Sequence, residues 1–210
     1  MLYGDLRTKF LSRLRRRDCS NTLADGFLED SVTRIQRNLT NPAMEKVVTY
    51  TLDANAYSTN GYLVLPSDFL RMKELSVQLA DGTWRKLDLR PLAEVSAGIG
   101  LIDYPRIYAR EASHLILAPF PLDGLKLKML YYAEFDDLSD VNDETILSIT
   151  ASDLIMFGAL SYAADHFEDK RAERFEGRYQ QIFDDIQNMA YAEDLTGATM
   201  SAAFSYPSDD

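Results

Sequence analysis

Two histidines and one cysteine are the side chains best suited to chemistry near neutral pH, and their surroundings argue against a reactive site. His114 falls in a stretch that alternates like a strand, and His166 ends an apolar helical run beside Asp165. An imidazole in either place reads as a partly buried, hydrogen-bonded structural group rather than a general base. Cys19 has no second cysteine and no histidine at ligand spacing, which excludes a thiolate metal cluster and an intramolecular disulfide. There is no GxSxG nucleophile elbow, no HExxH pair and no GxxxxGK(S/T) phosphate loop. Gly98-Ile99-Gly100 opens like a dinucleotide-binding turn, but Asp103 stands where that turn needs its third glycine. Carboxylate pairs occur at Asp136-Asp137, Glu168-Asp169, Asp184-Asp185 and Glu193-Asp194. Acid–base or metal-assisted work would need two or more of them converging in a cleft, and here they are spread along exposed faces. The expectation is a non-enzymatic protein that uses no cofactor and no metal.

The one concentrated feature of another kind is the run Arg13, Arg15, Arg16, Arg17. Such a cluster can end a helix, complementing the negative end of its dipole. It can equally contact DNA phosphates or an acidic protein partner, although sequence-reading DNA-binding modules carry far more positive charge than this chain.

The elements that must carry these residues change in character twice. Leu6, Phe10 and Leu14 recur every four residues and predict a short helix ending at the arginine cluster. Leu28, Val32, Ile35 and Leu39 predict a second helix, capped by Asn21 or Thr22 and ended by Asn41-Pro42. From Val47 the period becomes two: Val47–Leu52, Tyr62–Leu65, Met72–Leu79, Thr83–Leu87, Arg106–Ala109, His114–Ala118 and Leu125–Tyr132 read as short strands. Asn60-Gly61 and Asp81-Gly82 are turn signals, and a helical turn is expected over Pro91–Ala97. Thr150 and Ser152 are candidate caps for a helix over Leu154–Ala164 that is apolar on nearly all sides. A second helix over Asp169–Ala190 carries a seam of Ala172, Phe175, Tyr179, Ile182, Ile186 and Met189.

The fold expected is therefore α+β: N-terminal helices, a small antiparallel β-sheet or sandwich, a C-terminal helical hairpin and an extended tail. In segments, residues 1–45 are helical, 46–133 β-rich, 134–194 helical and 195–210 extended. No apolar run approaches the roughly 20 residues that span a bilayer, and no secretory signal is visible, so a soluble protein made in the cytoplasm is expected.

The net charge of −11 is unevenly placed. Residues 1–40 hold eight Lys/Arg against five Asp/Glu, residues 41–133 ten of each, and residues 134–210 four against eighteen. A chain so polarised presents differently charged faces to different neighbours.

Leu130-Tyr131-Tyr132-Ala133-Glu134-Phe135, followed by Leu138-Ser139 and Asn142, resembles a block of the tailed-bacteriophage head-to-tail adaptor (connector) family. The likeness continues through Asp153-Leu154, Gly158-Ala159-Leu160, Ala163-Ala164, Asp169, Arg171, Phe175 and Tyr179, and upstream in Leu65-Pro66-Ser67-Asp68-Phe69-Leu70. It spans about residues 62–190, with Ser152 where that family often has proline and Phe175 where it often has tryptophan. The resemblance implies a virion protein of the head–tail neck that forms a homo-oligomeric ring, a dodecamer. That ring would bind the portal protein above and a tail or nozzle protein below, and genomic double-stranded DNA would pass through it without sequence-specific binding. On this reading the tail residues Met200, Phe204 and Tyr206 would dock the portal. Phe175, Tyr179, Asp184, Asp185 and Ile186 would belong to a channel or inter-subunit helix, the alternative for the apolar ones being ordinary core. A tail-tube or tail-completion protein, or a DNA-binding regulator using the N-terminal helices, are the competing expectations.

Overall fold

The computed structural model describes residues 1–39, 42–52, 62–100, 102–136, 138 and 140–196. They form an α+β protein of two compact units, one drawn from both chain ends (Met1–Pro42 with Asp137–Asp210) and the other from the middle (Ala43–Asp136).

The middle unit is β-rich. Among the described residues it holds eight strands, β1 (Glu45–Leu52), β2 (Tyr62–Val64), β3 (Phe69–Gln78), β4 (Trp84–Lys86), β5 (Asp88–Leu89), β6 (Ile107–Glu111), β7 (His114–Ala118) and β8 (Leu125–Ala133). They make two four-stranded sheets, ordered β1-β8-β3-β4 and β2-β7-β6-β5, and every pairing is antiparallel except β5 with β6. Leu125, Leu127, Met129, Tyr131 and Ala133 alternate along β8 and are all buried, so the period of two sends one face of the strand inward. They meet Leu75 and Val77 of β3 together with Leu63, Tyr108, Leu115 and Leu117 of the second sheet in one apolar cluster, so the unit is a sandwich. Asp81-Gly82 makes the expected β3–β4 hairpin: Gly82 takes φ 84°, and the Asp81 carboxylate accepts the Thr83 N–H at 2.9 Å. Helix α3 (Leu92–Ala97) is the helical turn expected there. The strand missed by pattern is β5, two residues long and exposed on both, which leaves no periodic trace. Asn60-Gly61 lies outside the described residues.

The unit built from the chain ends is helical. Helix α1 (Tyr3–Leu14) buries Leu6, Phe10 and Leu14 completely. Helix α2 (Asn21–Asn38) is capped by neither Asn21 nor Thr22 but by Ser20, whose hydroxyl accepts the Leu23 N–H at 3.2 Å. Helix α4 (Ile146–Thr150) was not expected at all. Thr145 and Ser148 cap it reciprocally, with Ser148 in the role usually filled by Glu or Gln. Neither Thr150 nor Ser152 caps the next helix. The Thr150 hydroxyl donates back to the Ile146 carbonyl at 2.8 Å, and α5 (Ser152–His166) begins from Ala151 without a side-chain cap. As expected, α5 is buried on almost every side, with Leu154, Ile155, Met156, Gly158, Ala159, Leu160, Ala163 and Ala164 all enclosed.

Helix α6 (Ala172–Thr196) starts later and runs further than Asp169–Ala190, so Leu195 belongs to the helix rather than to a tail. Its seam holds at Phe175 and Tyr179 and fails at Met189, which is 65% exposed, while Ala190 is buried in its place. At about 100° per residue, position 190 returns to the direction of Ala172 after five full turns, whereas 189 has swung away. No helix of the described residues is long and apolar enough to cross a membrane.

Candidate interaction surface

The arginine cluster at the end of α1 divides. Arg15 takes a left-handed conformation (φ 55°) and closes the helix through its N–H to the Leu11 carbonyl. That turn sends Arg16 to Asp18, which it holds with two hydrogen bonds, and over the Phe167 ring at 4.4 Å. Arg17 is exposed. Arg13 and Arg15 line a groove of about 530 Å³ together with Ser12, Phe157, Arg171, Arg174, Phe175 and Arg178.

Three of the five arginines come from the turn that enters α6 and from its first two turns. Among residues 129–210 the only cations are Lys170, Arg171, Arg174 and Arg178. Spacings of three and four put the last three on one face, beside Phe175. Arg171 fixes the corner: it forks onto the Asp169 carboxylate and reaches the Leu14 carbonyl at 2.8 Å, tying the entry of α6 to the end of α1. The same fork holds the Asp169 carboxyl down at about 2. Phe157 and Phe175 lie 6.5 Å apart, Arg13 stacking over the first ring at 5.4 Å and Arg171 over the second at 5.3 Å. Among the described residues, Arg13, Arg15, Arg174 and Arg178 have no carboxylate within salt-bridge distance, Arg178 donating instead to the Gln181 side-chain carbonyl at 3.0 Å. Cations so crowded, with one acid between them, raise a positive potential that a bound anion would relieve.

Beside this groove α6 is fastened by a second arginine. Arg34 of α2 lies over the Tyr179 ring at 4.0 Å and grips the Glu176 carboxylate, which also accepts from Ser161 at 2.7 Å and Gln180 at 3.0 Å. The Arg34 bond, the largest influence, holds Glu176 down at about 2 despite the opposing effect of burial. A carboxyl depressed in the folded state contributes stability above its ordinary value near 4.5, and that contribution disappears as pH falls toward 2. With the Glu176 side chain 37% exposed, screening limits the effect to about 1 kcal/mol. Glu176→Gln should therefore cost about 1 kcal/mol at pH 7 and almost nothing near pH 2, a convergence that thermal melts across pH 2–7 would read.

Other expected site residues are placed as follows. Phe175 and Tyr179 are both buried, Phe175 at the edge of the groove it lines. Asp184 and Asp185 are exposed and Ile186 is half-buried. Met200, Phe204 and Tyr206 lie outside the described residues. His166 is exposed rather than partly buried, its ring edge against Phe27, and His114 is half-buried against Tyr62 at 4.3 Å. Cys19 is buried, which pushes its thiol up and away from the reactive thiolate. Among the described residues no group of three or more His, Cys, Asp or Glu is placed to hold a metal ion.

Sequence reasoning misses Arg171, Arg174 and Arg178 as site residues, because the acidic total of the C-terminal stretch hides its few cations. The signal was present: the few cations of a strongly acidic stretch all fall within nine residues at helical spacing.

These features define an α+β protein that carries a charged groove on its helical unit. The chain belongs to the SU10 adaptor protein family, a phage head-to-tail adaptor family, with the match running over residues 1–202. It is a structural component of a phage virion and associates with other phage head and tail proteins. No match was found among curated proteins.

Proposed function

We propose that the chain is a non-enzymatic adaptor whose copies, twelve to a ring, join the portal to the tail or nozzle and leave a channel for double-stranded DNA. Family membership across almost the whole chain carries this reading. The chain has none of the nucleophile, phosphate-loop or zinc motifs that catalysis would need, and its charge is sorted between regions as a protein with several neighbours requires. Helix α6 is the element assigned to subunit contact or channel wall. Its exposed carboxylates offer DNA no counterion release, so any wall they form is one along which the duplex slides.

Portal docking falls to the tail, where Met200, Phe204 and Tyr206 supply apolar anchors. In co-sedimentation, the full chain should pellet with isolated portal, and a chain ending at Leu195 should not while keeping its melting temperature. Equal pelleting by both would remove the docking role from the tail. Pelleting with tail tube instead of portal would favour the tail-tube reading.

A further inference from the structure

We infer that the arginine groove of one copy receives the distal part of α6 of a neighbouring copy, Asp184 and Asp185 facing the guanidiniums and Met189 meeting the rings of Phe157 and Phe175. The inference rests on the ring reading above and names the contact that would close the ring.

The two surfaces are complementary in charge and in apolar character. The groove offers five arginines, four of them without a carboxylate partner among the described residues, and two aromatic rings. After Arg178 the chain has six Asp/Glu and no Lys or Arg. Asp184 and Asp185 are exposed with no cationic partner among the described residues, and Met189 is 65% exposed one turn further on. A methionine is well suited to aromatic faces, and an arginine fork to carboxylates. Helix α6 has 25 residues and its antiparallel neighbour α5 has 15. At about 1.5 Å per residue, α6 outlasts α5 by about 15 Å, and Asp184, Asp185 and Met189 stand exposed along its distal half (the arm), where a neighbouring copy can reach them.

A copy cannot fill its own groove this way. Asp185 follows Arg178 by two helical turns, about 10 Å along a rigid rod. Groove and arm are also different patches of one surface, and pairing unlike patches is what generates rings rather than two-fold dimers. DNA is the weaker occupant. A duplex carries one charge per about 1.7 Å and would meet the field of a chain with net charge −11, whereas the arm brings a few carboxylates to a concave site.

The test uses the full chain assembled on isolated portal and imaged by electron microscopy. Arg13→Glu with Arg174→Glu should reduce rings at least tenfold, as should Asp184→Arg with Asp185→Arg. All four together should restore them. The four positions are exposed, so the melting temperature of each variant should stay within a few degrees of the parent. Rings formed equally by the parent and both reversals would overturn the arm-in-groove contact and leave the ring reading standing. Loss without rescue would also overturn it, since a groove that met DNA or another protein would be damaged by the first reversal and not repaired by the second. Absence of rings from the parent protein would remove both readings.

Discussion

Replacing Gly158 with alanine lowers the melting temperature by about 5–10 °C, a loss of about 2–3 kcal/mol. Gly158 lies in the middle of α5, where alanine would ordinarily gain about 1 kcal/mol in helix propensity. Here an added methyl would sit 2.2 Å from the Ser31 hydroxyl and 3.2 Å from both the Ser31 Cβ and the Tyr179 ring. Ser31 is fully buried and donates to the Ile155 carbonyl at 2.9 Å, so it moves aside only by giving up that bond. The clash outweighs the propensity. Adding Ser31→Ala removes the closest contact and should return about half of the loss, because the 3.2 Å contacts remain. A thermal melt in which Gly158→Ala is as stable as the parent would show that α2 and α6 do not close on α5 as described.

Leu127→Ala should cost the sandwich about 3–4 kcal/mol. Leu127 is fully buried on β8, which pairs with β1 on one side and β3 on the other, and its inward face meets the second sheet. The cavity would be walled by paired strands that cannot move inward without breaking their ladders. The neighbouring Lys126 is the control: it is exposed on the opposite face, opposite Thr51, so Lys126→Ala should stay within about 0.5 kcal/mol of the parent. Chemical denaturation of the two variants measures the difference. Equal costs would mean that β8 does not present the face assigned to it.

The elements were legible where periodicity was long and uninterrupted. Leu6, Phe10 and Leu14, the alternation from Leu125 to Tyr131, and the all-round apolar run of α5 each mark an element the structure contains. Short elements were not legible. β5 has two residues, and the cap of α4 uses Ser148 where sequence patterns look for Glu or Gln. The seam of α6 was read as a fixed alternation of threes and fours. A straight helix drifts off that rhythm, and Met189 therefore ends on the surface.

The groove was half legible. Arg13 and Arg15 were marked by their clustering, but their partners Arg171, Arg174 and Arg178 follow more than 150 residues later. Only the packing of α1, α5 and α6 in one unit brings the two sets to the same place. Periodicity reports which face of an element is buried and is silent on which distant element covers it. Arg16, next to Arg15 in sequence, turns instead to Asp18 and Phe167 because Arg15 reverses the backbone at that point.

The claim on which the account turns is that this chain joins head to tail, and particles produced without it test that most directly. Electron microscopy of such particles should show heads with portal in place and no tail attached, with tails restored when the chain is supplied. Complete, tailed and infectious particles lacking the chain would contradict the account.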